Sequence, residues 1–204
     1  MDWWLEERIA LENGCRCVVG IDEAGRGALA GPVVASCVVL PYLCDLPGLN
    51  DSKALAPARR ESLCIQIFRV ARGVGVGVVD AGRIDAINIL RASHEAMRLA
   101  ISNLPAGLQP DLALIDGLPV VPFPVNQVAL IKGDARSASI AAASIVAKVT
   151  RDHGMHDCDS LYPVYGFARH KGYGAPQHLR ALADHGPSPL HRLTFRPVAA
   201  AMKY

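Results

Sequence analysis

The sequence lacks any uninterrupted apolar stretch approaching the length of a membrane span. Its first residues, Met1-Asp2-Trp3-Trp4-Leu5-Glu6-Glu7, carry neither the basic nor the apolar segment of a secretory signal. A place in the cytoplasm, off any membrane, is the expectation. The six cysteines, at 15, 17, 37, 44, 64 and 158, have no framework spacing, and Cys15-x-Cys17 has no second pair with which to build a zinc site. Reduced thiols are expected, with Cys37 and Cys64 acting as small hydrophobes inside apolar runs. Internal repeats and low-complexity segments are absent too, which excludes a solenoid. There is little net charge: +2 over 204 residues, too little to point to nucleic acid without more evidence.

What is present is half apolar, and long enough for one well-cored domain but too short for two enzymatic ones. The charge is unevenly spread. From Arg151 onward there are seven Lys and Arg against four acids, with six of the seven histidines, so this quarter is the better candidate for a phosphate-facing surface.

Apolar runs suited to strands occupy about 17–22, 32–40, 74–79, 112–115 and 125–131, the first two joined by a short turn and so expected to pair antiparallel. Helices are expected near 1–14, from 57, over 83–103, over 137–152 and near 176–185. Trp3, Trp4, Leu5 and Ile9 make an apolar patch, whose tryptophans should dock on the core. The 137–152 segment, with alanines at 138, 141, 142, 143 and 147, suits a helix lying very close to a sheet. Residues 1–152 read as the main domain and 153–204 as an appendage packed on it.

Acids recur at the ends of these apolar runs. Val18, Val19 and Ile21 lead into Asp22-Glu23; 112–115 ends at Asp116; and 125–131 is followed by Lys132-Gly133-Asp134. Ligands in α/β proteins gather at strand ends. Four hard oxygen donors with neither His nor Cys among them suit magnesium or manganese, and four carboxylates more naturally hold two ions than one. Neighbouring strand residues face opposite ways, so Asp22 and Glu23 share one site only if the strand ends there or Glu23 offers its backbone carbonyl.

Competing readings accompany each motif. An acidic pair followed by glycines also begins ordinary turns. Gly25-Arg26-Gly27-Ala28-Leu29-Ala30 fits a loose dinucleotide pattern, but it runs into Gly31-Pro32 and strand composition where that pattern needs a helix. His153 and His156 have helical spacing, yet a glycine between them and surrounding charge favour a solvated helix end. Phe167 through Gly174 interleaves Arg169, His170 and Lys171 with Tyr173, a surface fit for phosphates and sugar stacking, although a tyrosine among glycines can equally anchor a turn.

Taken together, the motifs resemble those of the type 2 ribonucleases H, the ribonuclease HII family of bacterial type. The resemblance runs from about 18 to 197. It is carried by Gly20-Ile21-Asp22-Glu23-Ala24-Gly25-Arg26-Gly27, Asp51-Ser52-Lys53, Ile115-Asp116-Gly117, Lys132-Gly133-Asp134, the 139–152 segment and His170-Lys171-Gly172-Tyr173-Gly174. It implies an α/β, RNase H-like fold: a mixed five-stranded sheet flanked by helices, with a small C-terminal helical extension. It implies an endoribonuclease, acting as a monomer, that uses two Mn2+ or Mg2+ ions on RNA–DNA hybrids and on duplex DNA containing single ribonucleotides. The implied catalytic and metal residues are Asp22, Glu23, Asp116 and Asp134, with Asp22 bridging the ions. Gly25, Arg26 and Gly27 would read the ribose 2′-hydroxyl, Tyr173 would stack on the sugar, and Lys53 would meet a phosphate. The alternative is a nucleic-acid-binding module of the same fold without catalysis.

Overall fold

The computed structural model describes residues 2–202. Its elements run α1 (Leu5–Glu12), β1 (Val18–Ala24), β2 (Val33–Val39), α2 (Pro57–Val70), β3 (Gly73–Val79), α3 (Ala81–Ile87), α4 (Ile89–Ser102), β4 (Leu112–Asp116), β5 (Gln127–Leu130), α5 (Ala138–Leu161), α6 (Phe167–His170), α7 (Pro176–His185) and α8 (Arg196–Ala201). The five strands form one mixed sheet in the order β3-β2-β1-β4-β5. As expected from the short turn, β1 pairs antiparallel with β2, and β3 continues that meander. On the other side β1 pairs parallel with β4, and β4 parallel with β5.

Alternation along the strands divides the core. Val19, Ile21, Ala35 and Cys37 face α3 and α4, packing on Ile84, Ala92 and Ala96. Val38 lies on the opposite face, under Leu63 and Ile67 of α2 and the alanines of α5. The small-residue helix does lie close: a Cβ on Gly20 would overlap the backbone of Ser139 and Ile140. The glycines of β3 serve the other layer in the same way, since a Cβ on Gly77 would overlap the Ala96 carbonyl of α4.

Two expectations need correction. The helix over 83–103 is two helices broken at Asn88, whose φ of 69° ends α3 while its side chain accepts from the Arg91 amide to cap α4. The helix expected to stop at 152 continues to Leu161, because its polar outer face is solvated without ending the helix. At the N-terminus Trp3 and Trp4 pack on the α2–α5 cluster as expected, while Leu5 and Ile9 are exposed. The buried face of α1 instead carries Ala10 and Glu7, whose carboxylate accepts from Ser137 Oγ and the Ser139 amide at the start of α5.

After α5 the chain folds back over the β1–β2 turn. Ala30 and Met155 pack there with Tyr165, Phe167 and Ala181, and Leu29 with Leu182 and Val198. No helix among the described residues is long and apolar enough to cross a membrane. All six cysteines are free thiols.

Candidate active site

Parallel pairing explains how distant acids meet. β1 and β4 run in register with Ile21 opposite Ile115, which brings the next residues, Asp22 and Asp116, side by side where the parallel pairing ends; Asp22 stays paired with Ser36 of β2, and β1 runs on through Glu23 to Ala24. β5 ends with Leu130 opposite Asp116, and the chain then turns through Gly133–Ala135, which carries Asp134. The turn is tied back to β4, because the Gly133 amide donates to Asp116 Oδ1 at 2.7 Å. One carboxylate oxygen from each of Asp22, Asp116 and Asp134 lies within 4.8 Å of the others. Glu23 stands outside that trio but lines the same cleft, its Oε1 3.1 Å from Arg26 Nη1.

Negative charge at this edge is under-compensated. Burial holds the Asp22 carboxyl well above the usual range, and the Glu23 and Asp116 charges push the same way against help from Ser144 and the Glu23 amide. Burial likewise raises Glu23, with Arg26 opposing, and Asp116, with Asp134 adding to it. The cation nearest the trio is Lys53, whose Nζ is 3.3 Å from Asp134 Oδ2. Burial pulls the Lys53 ammonium down, but Asp134, Asp22 and Asp51 outweigh it and raise its pKa. Three converging hard oxygen donors, largely buried and opposed by one lysine, have the chemistry of a divalent-cation site.

The remaining candidates surround this edge. A cleft of about 480 Å3 is lined by Asp22, Glu23, Asp116, the Gly25-Arg26-Gly27 loop, Lys53 and Tyr173. The Tyr173 ring, 37% exposed, rests against two cations: Arg151 Cζ is 5.3 Å and Lys148 Nζ 5.6 Å from its centroid. His153 pairs with Glu61 at 2.9 Å, and among the described residues the aspartate trio is the one group of three or more His, Cys, Asp or Glu side chains close enough together to hold an ion.

Some participants were not singled out from sequence. Ser52 and Ser144 share a buried hydrogen bond of 2.7 Å at the cleft wall. Two arginines, Arg151 and Arg192, are almost wholly buried behind the glycine loop. Ser52 falls inside the Asp51-Ser52-Lys53 motif, and Ser144 and Arg151 inside the 139–152 motif, where serine in an alanine run was the available signal. Arg192 had none.

The fold and the site together define an RNase H-like α/β protein with a carboxylate-lined, cation-binding cleft at the carboxyl edge of its parallel strands. The family model described as Ribonuclease HII matches residues 19–198, and the chain belongs to that family. It is similar to the ribonuclease HII of Geobacter sulfurreducens, with 56% identity over 96% of this chain and 89% of that one. Among solved structures it resembles the ribonuclease H2 of Pyrococcus horikoshii, with 26% identity, a TM-score of 0.77, and 91% and 97% of the two chains covered. It also resembles the RNase HII of Archaeoglobus fulgidus, solved in complex with PCNA, with 28% identity, a TM-score of 0.72, and coverage of 89% and 96%. Membership makes the chain a ribonuclease H acting on nucleic acid.

Proposed function

We propose that the chain hydrolyses the RNA strand of RNA–DNA hybrids and nicks duplex DNA on the 5′ side of a single embedded ribonucleotide. The observation that carries this reading is the meeting of Asp22, Asp116 and Asp134 within 4.8 Å, with Asp22 and Asp116 lining a cleft shared with the glycine loop and Tyr173. Asp22, Asp116 and Asp134, with Glu23 beside them, would hold the divalent ions. Bound Mg2+ or Mn2+ would supply an activated water and charge stabilisation at the leaving 3′ oxygen, so that the products carry 3′-hydroxyl and 5′-phosphate ends.

The chain's own residues position the strand. Gly25, Arg26 and Gly27 present backbone close to the acids, where a glycine lets a sugar approach and a 2′-hydroxyl distinguishes RNA from DNA. Tyr173 offers its ring to that sugar, with Arg151 and Lys148 against it. Lys53, reaching Asp134 from the opposite wall, is placed to meet a phosphate once a metal relieves its ion pair.

A duplex DNA with one ribonucleotide, incubated with Mg2+ or Mn2+, tests the reading. The full chain should nick it 5′ to the ribonucleotide, and chelation should abolish the reaction. Asp134→Asn should lower activity by more than the roughly 100-fold that loss of an outer-shell metal partner costs. Binding without a metal-dependent nick would overturn the enzyme in favour of the non-catalytic module. Buried carboxylates facing phosphates already argue against that module, since without a cation they repel the ligand.

A further inference from the structure

Arg192 is completely buried, yet no carboxylate pairs with it. Its donors go to backbone carbonyls of the loop between β1 and β2: Nη2 to Gly25 O at 2.7 Å, Nη1 to Arg26 O at 2.8 Å and Nε to Gly31 O at 3.0 Å. A planar guanidinium can span three carbonyls in fixed directions, which an ammonium cannot. Its own backbone is anchored to the same loop, since the Arg192 amide donates to Leu29 O at 2.9 Å.

The orientation has a geometric consequence. In a trans peptide the carbonyl and the following N–H point in opposite directions. Drawing Gly25 O and Arg26 O inward therefore turns the N–H groups of Arg26 and Gly27 outward, to the side where both residues line the acidic cleft. Among the described residues nothing accepts a hydrogen bond from either amide, whereas the later loop amides of Ala28, Leu29, Ala30 and Gly31 all have backbone acceptors. Arg151 fixes the neighbouring span in the same manner. It donates from Nε to Pro32 O, from Nη1 to Lys171 O and from Nη2 to Ala30 O, and it leaves no room for a Cβ on Gly25.

We propose that Arg192 is a positioning residue for ribose selection: from inside the protein it aims the Arg26 and Gly27 amides at the 2′-hydroxyl of a bound ribonucleotide. This rests on the reading of the glycine loop given above. Arg192 touches no substrate, and its effect passes entirely through the loop's peptide planes. The guanidinium remains protonated at neutral pH even though burial and Arg151 bring its pKa down to about 9.

The test compares affinity, in Ca2+ to suppress cleavage, for two duplexes identical except for one ribonucleotide. The full chain should prefer the ribonucleotide-containing duplex. In Arg192→Lys that preference should fall by about tenfold, the value of one to two hydrogen bonds, with affinity for the all-DNA duplex unchanged. A general loss of structure would weaken both duplexes together. A folded Arg192→Lys that keeps the full preference overturns the assignment.

Should that variant fail to fold, amide resonances of the 15N-labelled unmutated chain decide the matter. Those of Arg26 and Gly27 should shift further with the ribonucleotide duplex than with DNA, and equal shifts would sink the proposal. If the unmutated chain itself shows no preference between the duplexes, it is the reading of the glycine loop that fails.

Discussion

At Asp22, burial, Glu23 and Asp116 all work against the ionised carboxyl, and at Asp116 burial and Asp134 do the same. A raised carboxyl pKa means that ionisation costs more in the fold than in the unfolded chain, so removing a charge without changing shape should stabilise the metal-free protein. Asp116→Asn is suited to this, because an amide oxygen can still accept from the Gly133 amide. In chelator it should melt at a higher temperature than the unmutated chain, by the equivalent of about 1 kcal/mol. Metal should reverse the order. With Mn2+ at about a hundred times its dissociation constant the unmutated chain gains roughly 2.7 kcal/mol, and the variant should gain much less. Thermal melts with and without Mn2+ give all four values. A Mn2+ shift undiminished in Asp116→Asn would place the ion elsewhere.

The site's precision at the next scale comes from how closely α5 lies on β1. Gly20 is two residues before Asp22, and Asp134 lies in the turn that leads into α5, so this contact sets the spacing between the segments that carry the two acids. Gly20→Ala forces helix and strand apart and should cost about 1–3 kcal/mol, the usual range for overpacking. Gly154, on the exposed face of the same helix, has open space where a Cβ would go. Gly154→Ala should stabilise by roughly 0.5–1 kcal/mol through helix preference alone. Urea denaturation of the pair should move in opposite directions, and matching shifts would mean that the α5–β1 approach is not tight.

These elements were legible where the signal was local. Val18 to Glu23 reads as a strand ending in charge, and the alanines of α5 announce a close approach. The break at Asn88 was hidden because apolar residues flank it on both sides and the periodicity passes through unaltered. The extent of α5 beyond Asp152 was hidden by polar residues that solvate a helix as readily as they end one. Of the site, the acids at strand ends could be read directly and Tyr173 through the motif around it. Arg192 could not, because its partners are backbone carbonyls more than 150 positions earlier, to which side-chain identity gives no clue.

At the scale of the whole molecule, the C-terminal quarter is joined to the cleft by a hydrogen-bonded chain of neutral histidines. His178 Nδ1 donates to Tyr173 O at 2.8 Å, which leaves its Nε2 to accept from His191 Nε2, 3.0 Å away. His191 Nδ1 must then be the acceptor for Ser188, from both its amide and its hydroxyl. His170 stacks on His178 with ring centroids 4.5 Å apart. A proton on either acceptor nitrogen would set two donors against each other. Burial lowers the pKa of both histidines, that of His191 to about 4 with His178 adding to the effect. The unfolded chain, with histidines near 6.5, takes up protons that the fold refuses, so this contribution is complete above about pH 6.5 and is lost as pH falls toward about 4. The buried carboxyls titrate with the opposite sign, so the comparison must be made against a variant that changes the histidine alone. His191→Gln keeps an N–H for His178 and does not titrate. Between pH 7 and pH 5 the unmutated chain should lose roughly 2 kcal/mol more stability than this variant, measured by urea unfolding in saturating Mg2+. Parallel stability curves for the two proteins would show that the chain of histidines does not couple protonation to the fold.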